Sequence, residues 1–337
     1  MLINSWGLAL CIISLCVLFL VGTALRSAVR VLRYWQPGSD SNLQIELENE
    51  IWLSSTLVEY GLGFQMVSLL IFIMAADRFA QMIKGAMCAT GSLLANDYGA
   101  PLLVVKLTGI FLYGFWIVLH QLDMRAESYP LVRLKYRYLL ALFPLLLLET
   151  TLQTLYLTGL SPDIITSCCA VVFGGDKQLG QNLIGGQAGW ELMALFYGLA
   201  LLLFSSGLYQ LSARRISPGV TYVSGFGWFV FFILALVVIT IVVSSYIYAM
   251  PYHHCPFCIL KAEYDGIGYP IFVSLISACF AGGVTVIAVL LRNVDGLEET
   301  AGCLRRFSIR FSLVMLAMFL ALSSWHFWAY FIMGGEY

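Results

Sequence analysis

The chain has 337 residues, 60% of them hydrophobic and 11% charged, with 18 basic side chains against 19 acidic ones. A soluble domain is about 45–50% apolar and roughly 25% charged, so this composition excludes a water-exposed globule and identifies an integral membrane protein. A net charge of −1 and a pI near 6.4 offer no basic field for phosphate backbones, which excludes nucleic acid and leaves the lipid bilayer as the first partner.

Crossing a hydrocarbon core about 30 Å thick takes about 20 apolar residues in helical form. Eight stretches reach that length, at approximately 3–25, 53–76, 101–120, 138–159, 189–211, 221–249, 267–291 and 310–333. They lack the strict alternation of barrel strands, and lipid tolerates only helices or closed barrels. The expected fold is therefore all-α, a single transmembrane domain over 1–337 built from about eight helices.

The first stretch has no charged side chain in Met1 to Gly7, whereas Arg26, Arg30 and Arg33 follow it. It reads as an uncleaved anchor rather than a signal peptide, with the N-terminus outside. Eight crossings then leave cytoplasmic connections at about 26–52, 121–137, 212–220 and 292–309. These hold Arg26, Arg30, Arg33, Arg125, Arg133, Lys135, Arg137, Arg214, Arg215, Arg292, Arg305, Arg306 and, at a helix mouth, Arg310. Outside fall only Arg78, Lys84, Lys177 and Lys261, a bias that predicts both termini to be extracytoplasmic, as in a bacterial inner (cytoplasmic) membrane protein. The acidic run Gln44 to Glu50 before the second stretch reads as a solvated helix start.

This topology sorts the nine cysteines. Cys11 and Cys16 lie in the first span, Cys279 in the seventh and Cys303 on the cytoplasmic side. The first three read as small core hydrophobes. Five others belong to three outer connections: Cys88 in GAMCATG, Cys168 and Cys169 in ITSCCA, and Cys255 and Cys258 in HHCPFCILK, which also carries His253 and His254. An odd number of thiols in an oxidising compartment cannot be consumed by structural disulfides alone.

The segment Cys255-Pro256-Phe257-Cys258 resembles the active-site tetrapeptide of glutaredoxin-type oxidoreductases over four residues, without a surrounding βαβ pattern. The resemblance implies thiol–disulfide exchange with Cys255 as attacking sulfur at a helix N-cap, Pro256 in the first helical position, His254 as electrostatic neighbour and Cys258 as resolving thiol. Cys168, Cys169 or Cys88 would relay electrons, to an extracytoplasmic redox protein or a membrane quinone. The same residue types also suit a soft metal: His253, His254, Cys255, Cys258, Cys168 and Cys169 could ligate zinc, copper or an iron–sulfur cluster. A third role is that of a membrane subunit in a larger redox complex. Covalent c-type haem fails on the motif, because Ile259 follows Cys258.

Within the spans, Glu149 lies near the middle of the fourth and Lys106 about six residues into the third. Charges at such depths face a protein interior or a wet cavity, and the hairpin between the two spans predicts a Glu149–Lys106 pair. It reads either as a structural pair or as part of a proton, ion or quinone site. Glu59, Glu191 and the Asp77-Arg78 pair sit nearer the interfaces and read as anchors. His120 and His326 lie at different depths, which argues against a haem shared between them.

Overall fold

The structure is a computed structural model that describes residues 4–36, 41–126, 129–161, 188–213, 217–249 and 253–333. The described residues are helical and contain no strand. Eight of the helices are long and apolar enough to cross a membrane, which makes the chain a multi-pass membrane protein. It divides into two compact units, one of residues 1–166 with 294–300 and one of 167–293 with 301–337.

The first unit is built on α1 (Ser5–Tyr34), α2 (Asn42–Ala80), the short α3 (Ala89–Leu93), α4 (Gly99–Asp123) and α5 (Val132–Gly159). Helix α1 packs against α2 and α5, and α4 packs against α2 and α5. Each long helix overruns its apolar window. At 1.5 Å per residue the 39 residues of α2 measure about 58 Å, well beyond the lipid core. Ser41 starts α2 by accepting the Gln44 amide on its hydroxyl. The acidic run early in α2 meets Arg30 of α1, which pairs with Glu46 at 3.1 Å and Glu50 at 3.0 Å, while Ser27 donates to Glu50. The acidic run is thus partly an interhelical seam. A core of Val17, Val21, Leu47, Val58, Trp116, Leu139 and Leu146 fills the interior of this unit.

The second unit comprises α6 (Ala188–Ser212), α7 (Pro218–Val238), a π-helical turn (Ile239–Val243), α8 (Ser244–Tyr248), α9 (Gly268–Leu290) and most of α10 (Glu298–Ile332). Here aromatic and small side chains do the packing. Phe196 of α6 lies against Phe231 of α7 and Phe319 of α10, with ring centroids 5.5 and 5.9 Å apart. Trp228 of α7 lies over Gly282 of α9, where a Cβ would fall 2.4 Å from the indole, so this crossing requires a residue without a side chain.

Candidate functional site

Two buried polar groups stand out, one in each unit. The first gathers on Glu149. Lys106 Nζ lies 2.8 Å from Glu149 Oε1, with both side chains 1% exposed, as the spacing of the two charges predicted. Gln65 Nε2 donates to the same oxygen at 2.8 Å, Tyr113 donates to Oε2 at 2.7 Å, and Lys106 also donates to Ser68 Oγ at 2.9 Å. The ammonium stands 5.7 Å from the centre of the Phe72 ring. One helix supplies Gln65, Ser68 and Phe72, a second Lys106 and Tyr113, and a third Glu149, so the carboxylate ties α2, α4 and α5 together. Both charges are met in full, as a buried pair requires. The remaining unpartnered atoms nearby are two neutral amide oxygens, Gln65 Oε1 and Gln153 Oε1.

A second pair closes the α4–α5 hairpin. Lys135 Nζ lies 2.9 Å from Asp123 Oδ2, both side chains being fully buried, and Asp123 Oδ1 accepts the Leu131 amide at 2.8 Å. His120 stacks on Trp116 and meets Glu59 at 3.5 Å. This corrects the sequence-based placement of Lys135 in a cytoplasmic loop: it lies inside α5, because a buried carboxylate across the hairpin compensates its charge. Glu59 is likewise a partner in this network as well as an interfacial side chain.

The polar group of the second unit is the loop from His253 to Ile267. Helix α8 ends at Ala249 in a left-handed conformation (φ 52°), and the chain returns through His253, His254 and Cys255 in irregular backbone. Pro256 and Phe257 form a turn, Cys258–Leu260 a single 3₁₀ turn and Ala262–Tyr264 another. Lys261 is extended, and Asp265 and Gly266 have positive φ, so no α-helix forms until Gly268. The expected N-cap role of Cys255 is therefore corrected. Pro256 does not open an α-helix, so no long helix begins at Cys255 to stabilise a thiolate on its sulfur.

Three contacts fix this loop. Ile259 is fully buried, and its side chain and carbonyl crowd Gly268 so closely that a Cβ there would fall 2.7–2.9 Å away. The Tyr248 hydroxyl donates to the Cys255 carbonyl. The Tyr248 ring also meets His253 at 4.6 Å and Tyr264 at 4.7 Å between centroids. Tyr264 titrates above its ordinary range because burial and the nearby Cys258 thiol disfavour the phenolate.

Cys255 is fully buried and Cys258 is 7% exposed. No disulfide joins them. In the first unit Cys88, at the N-cap of α3, is also buried and outside any disulfide. Cys88, Cys255 and Cys258 are thus three buried thiols of the kind that can hold a metal ion. Cys168 and Cys169 lie outside the described residues. Cys279 is a core residue of α9, whereas Cys16 and Cys303 are exposed and Cys11 is half-buried.

His254 is half-buried, and its Nδ1 is buried without a hydrogen-bond partner. Burial lowers the affinity of this imidazole for a proton, a hydrogen bond to the Ile241 backbone opposes that, and the neighbouring His253 reinforces it. Ile241 belongs to the π-helical turn. There Thr240, Ser244 and Ser245 fold their hydroxyls onto the backbone carbonyls of Leu236, Thr240 and Val242 at 2.7–2.8 Å, supporting the widened geometry.

Sequence reasoning missed Gln65, Ser68, Tyr113, Asp123, Tyr248 and the backbone of Ile241. Gln65 carried a signal, being an amide deep in an apolar run, and Asp123 with Lys135 carried another as opposite charges flanking a hairpin. Comparison with protein-family models, with curated proteins and with solved structures finds no match.

Proposed function

We propose that this is a membrane metal-binding protein in which Cys255 and Cys258 of the second unit hold one soft metal ion at the extracytoplasmic face. The observation that carries the reading is the burial of two thiols three positions apart in one short loop, which the positive-inside rule assigns to the outer side. Thiolate sulfur favours zinc and copper(I) over hard cations. Cysteines of an oxidising compartment are readily consumed by disulfide formation, whereas metal ligation keeps them in use as thiolates. Cys168 and Cys169, assigned to the same face by sequence, belong to this proposal as further soft ligands.

Burial also ranks the readings of the CPFC segment. Exchange with a partner protein needs an exposed thiolate of depressed pKa. Cys255 has no exposure and lacks a long helix behind it. Metal ligation needs neither, because the ion itself deprotonates the thiol and compensates its charge. The Lys106–Glu149 pair enters this reading as a fastener of the first unit rather than as the lining of an ion path, since its charges are spent on one another.

Elemental analysis of protein extracted without chelator tests the proposal. Wild type carries about one zinc or copper per chain, and Cys255→Ser and Cys258→Ser each lose most of it while remaining dispersed in detergent. Wild-type protein free of both metals, including after incubation with either under reducing conditions, overturns the reading.

A further inference from the structure

We infer that the cytoplasmic part of α10 binds an anionic phospholipid, with Arg306 and Arg310 holding the headgroup phosphate and an exposed apolar strip beyond them seating an acyl chain. This site lies wholly in the second unit and is independent of the metal centre proposed above. What marks it is unspent charge. In the first unit cationic groups are used by the protein: Arg30 pairs with Glu46 and Glu50, Arg133 donates to the Trp35 carbonyl and Lys135 pairs with Asp123. Arg306 and Arg310 are exposed, and neither forms an ion pair with a described residue. The acids of the same helix, Glu298 and Glu299, stand at least seven residues earlier, beyond the three- or four-residue spacing of a helical pair.

The two arginines are four residues apart, which puts them on one face of the helix about 6 Å apart along its axis. Like charges at this spacing repel and destabilise the helix. An anion between them removes the repulsion, and a phosphodiester suits the place because guanidinium presents a planar fork of donors that matches phosphate oxygens. Arg310 stands at the mouth of the eighth apolar stretch, so Arg306 lies about 6 Å outside the hydrocarbon. The headgroup layer is about 5–7.5 Å deep on each side. Both guanidiniums therefore stand at the depth of lipid phosphates.

The same face continues into the membrane as an apolar strip. Phe307, Phe311, Val314 and Met318 follow one another at three- and four-residue intervals, and all four are exposed. At about 100° per residue they and the two arginines fall within an arc of about 140°, whereas Ile309, Leu316 and Phe319 on the opposite side are buried. The Phe307 and Phe311 rings stack with centroids 5.9 Å apart and planes 14° from parallel, an apolar wall beside the charges. From Arg310 to Met318 the strip measures about 12 Å, most of the roughly 15 Å that the chains of one leaflet span. Positive charge at phosphate depth above an apolar strip of leaflet length fits a phospholipid better than a free anion. Basic residues just cytoplasmic of a span attract the anionic lipids of that leaflet.

Native mass spectrometry of the delipidated full chain in mild detergent, titrated with dioleoylphosphatidylglycerol or dioleoylphosphatidylcholine, tests the site. Wild type is expected to retain phosphatidylglycerol in preference to phosphatidylcholine. Arg306→Gln and Arg310→Gln each weaken phosphatidylglycerol binding by about fivefold, and the double variant by about 25-fold, which removes the preference. Arg30→Gln, whose charge is already paired with Glu46 and Glu50, leaves the preference unchanged. Equal retention of the two lipids by wild type overturns the inference, as does a double variant that keeps the preference. Arg30→Gln lowering it as far as Arg306→Gln also overturns it, because net charge rather than a site would then be responsible. Displacement of the lipid by millimolar inorganic phosphate assigns the arginines to a free anion and overturns the lipid as occupant. Both substituted arginines are exposed, so the variants keep the native packing.

Discussion

The two units use buried polarity in opposite ways. In the first, Glu149, Lys106, Asp123 and Lys135 are charged, almost wholly removed from solvent, and matched to one another across helices. In the second, the helix crossings are made by Trp228 on Gly282 and by the Phe196, Phe231 and Phe319 rings, and the distinctive polar chemistry sits in the loop after α8. There Cys255 and Cys258 are thiols and His254 keeps an unpaired nitrogen. Helices in lipid gain nothing from hydrophobic burial against each other, so they associate through close small-residue contacts or through interhelical polar bonds. Each unit takes a different one of these routes. The lesson concerns function: charge that is already satisfied fastens, whereas a ligand-type atom left without a partner is open to a ligand.

The largest effect expected from breaking this contrast is at Glu149. Glu149→Leu strands the Lys106 ammonium beside Ser68 in a buried site, and should cost about 3–5 kcal/mol. Lys106→Met with Glu149→Leu should recover most of that loss, because removing both charges avoids an uncompensated one. Unfolding of the purified protein by titrated SDS in mixed micelles measures both, and the coupling comes from the double-mutant cycle. A single variant as stable as wild type would mean that water reaches the pair, which would restore the reading of an ion or proton path.

The converse test lies in the second unit. Gly282→Ala places a methyl group 2.4 Å from the Trp228 indole, which is nearly buried and has little room to move. Overpacking of this kind costs about 1–3 kcal/mol. Trp228→Phe in the same background should restore part of it, since a smaller ring clears the added carbon. If Gly282→Ala costs nothing in the same micelle assay, the two helices are not in tight contact there and small-residue packing does not hold this unit.

How much of this was legible beforehand follows from what each signal depends on. The eight helices could be read because about 20 consecutive apolar residues have few other fates. Their ends could not, because lipid sets a minimum length and nothing in hydropathy stops a helix: Glu, Gln and Leu in the α2 start are good helix formers outside the membrane too. The Lys106–Glu149 pair was legible as two charges at similar depth in an apolar background. Tyr113 was not, since neutral polar side chains are common in spans, and the amide of Gln65 stood out in its apolar run without showing which way it faces. The CPFC segment drew attention correctly, but its helix did not follow. Pro256 fits a turn as well as a first helical position, and the choice was made downstream by Lys261, Asp265 and Gly266. The orphan nitrogen of His254 depends on how the folded loop buries that ring, which no local pattern encodes.

The smallest expected effect refines what satisfied polarity means in the first unit. The Tyr136 hydroxyl lies 2.7 Å from Ser54 Oγ and 3.2 Å from Ser55 Oγ, joining α5 to α2 with uncharged groups. Tyr136→Phe removes one oxygen but no charge. Ser54 can still donate to the Ile51 carbonyl, from which it stands 3.4 Å in the native arrangement. The ring keeps its place in the core beside Val58 and Leu139. The loss should therefore be about 1 kcal/mol, the net worth of an ordinary hydrogen bond whose partner finds a substitute. Read in the same micelle assay against Glu149→Leu, the two values give the relative strength of neutral and charged fastening within one unit. A Tyr136→Phe loss as large as that of Glu149→Leu would show that buried hydroxyls carry the unit, and would remove the distinction drawn here between its charged and uncharged polar groups.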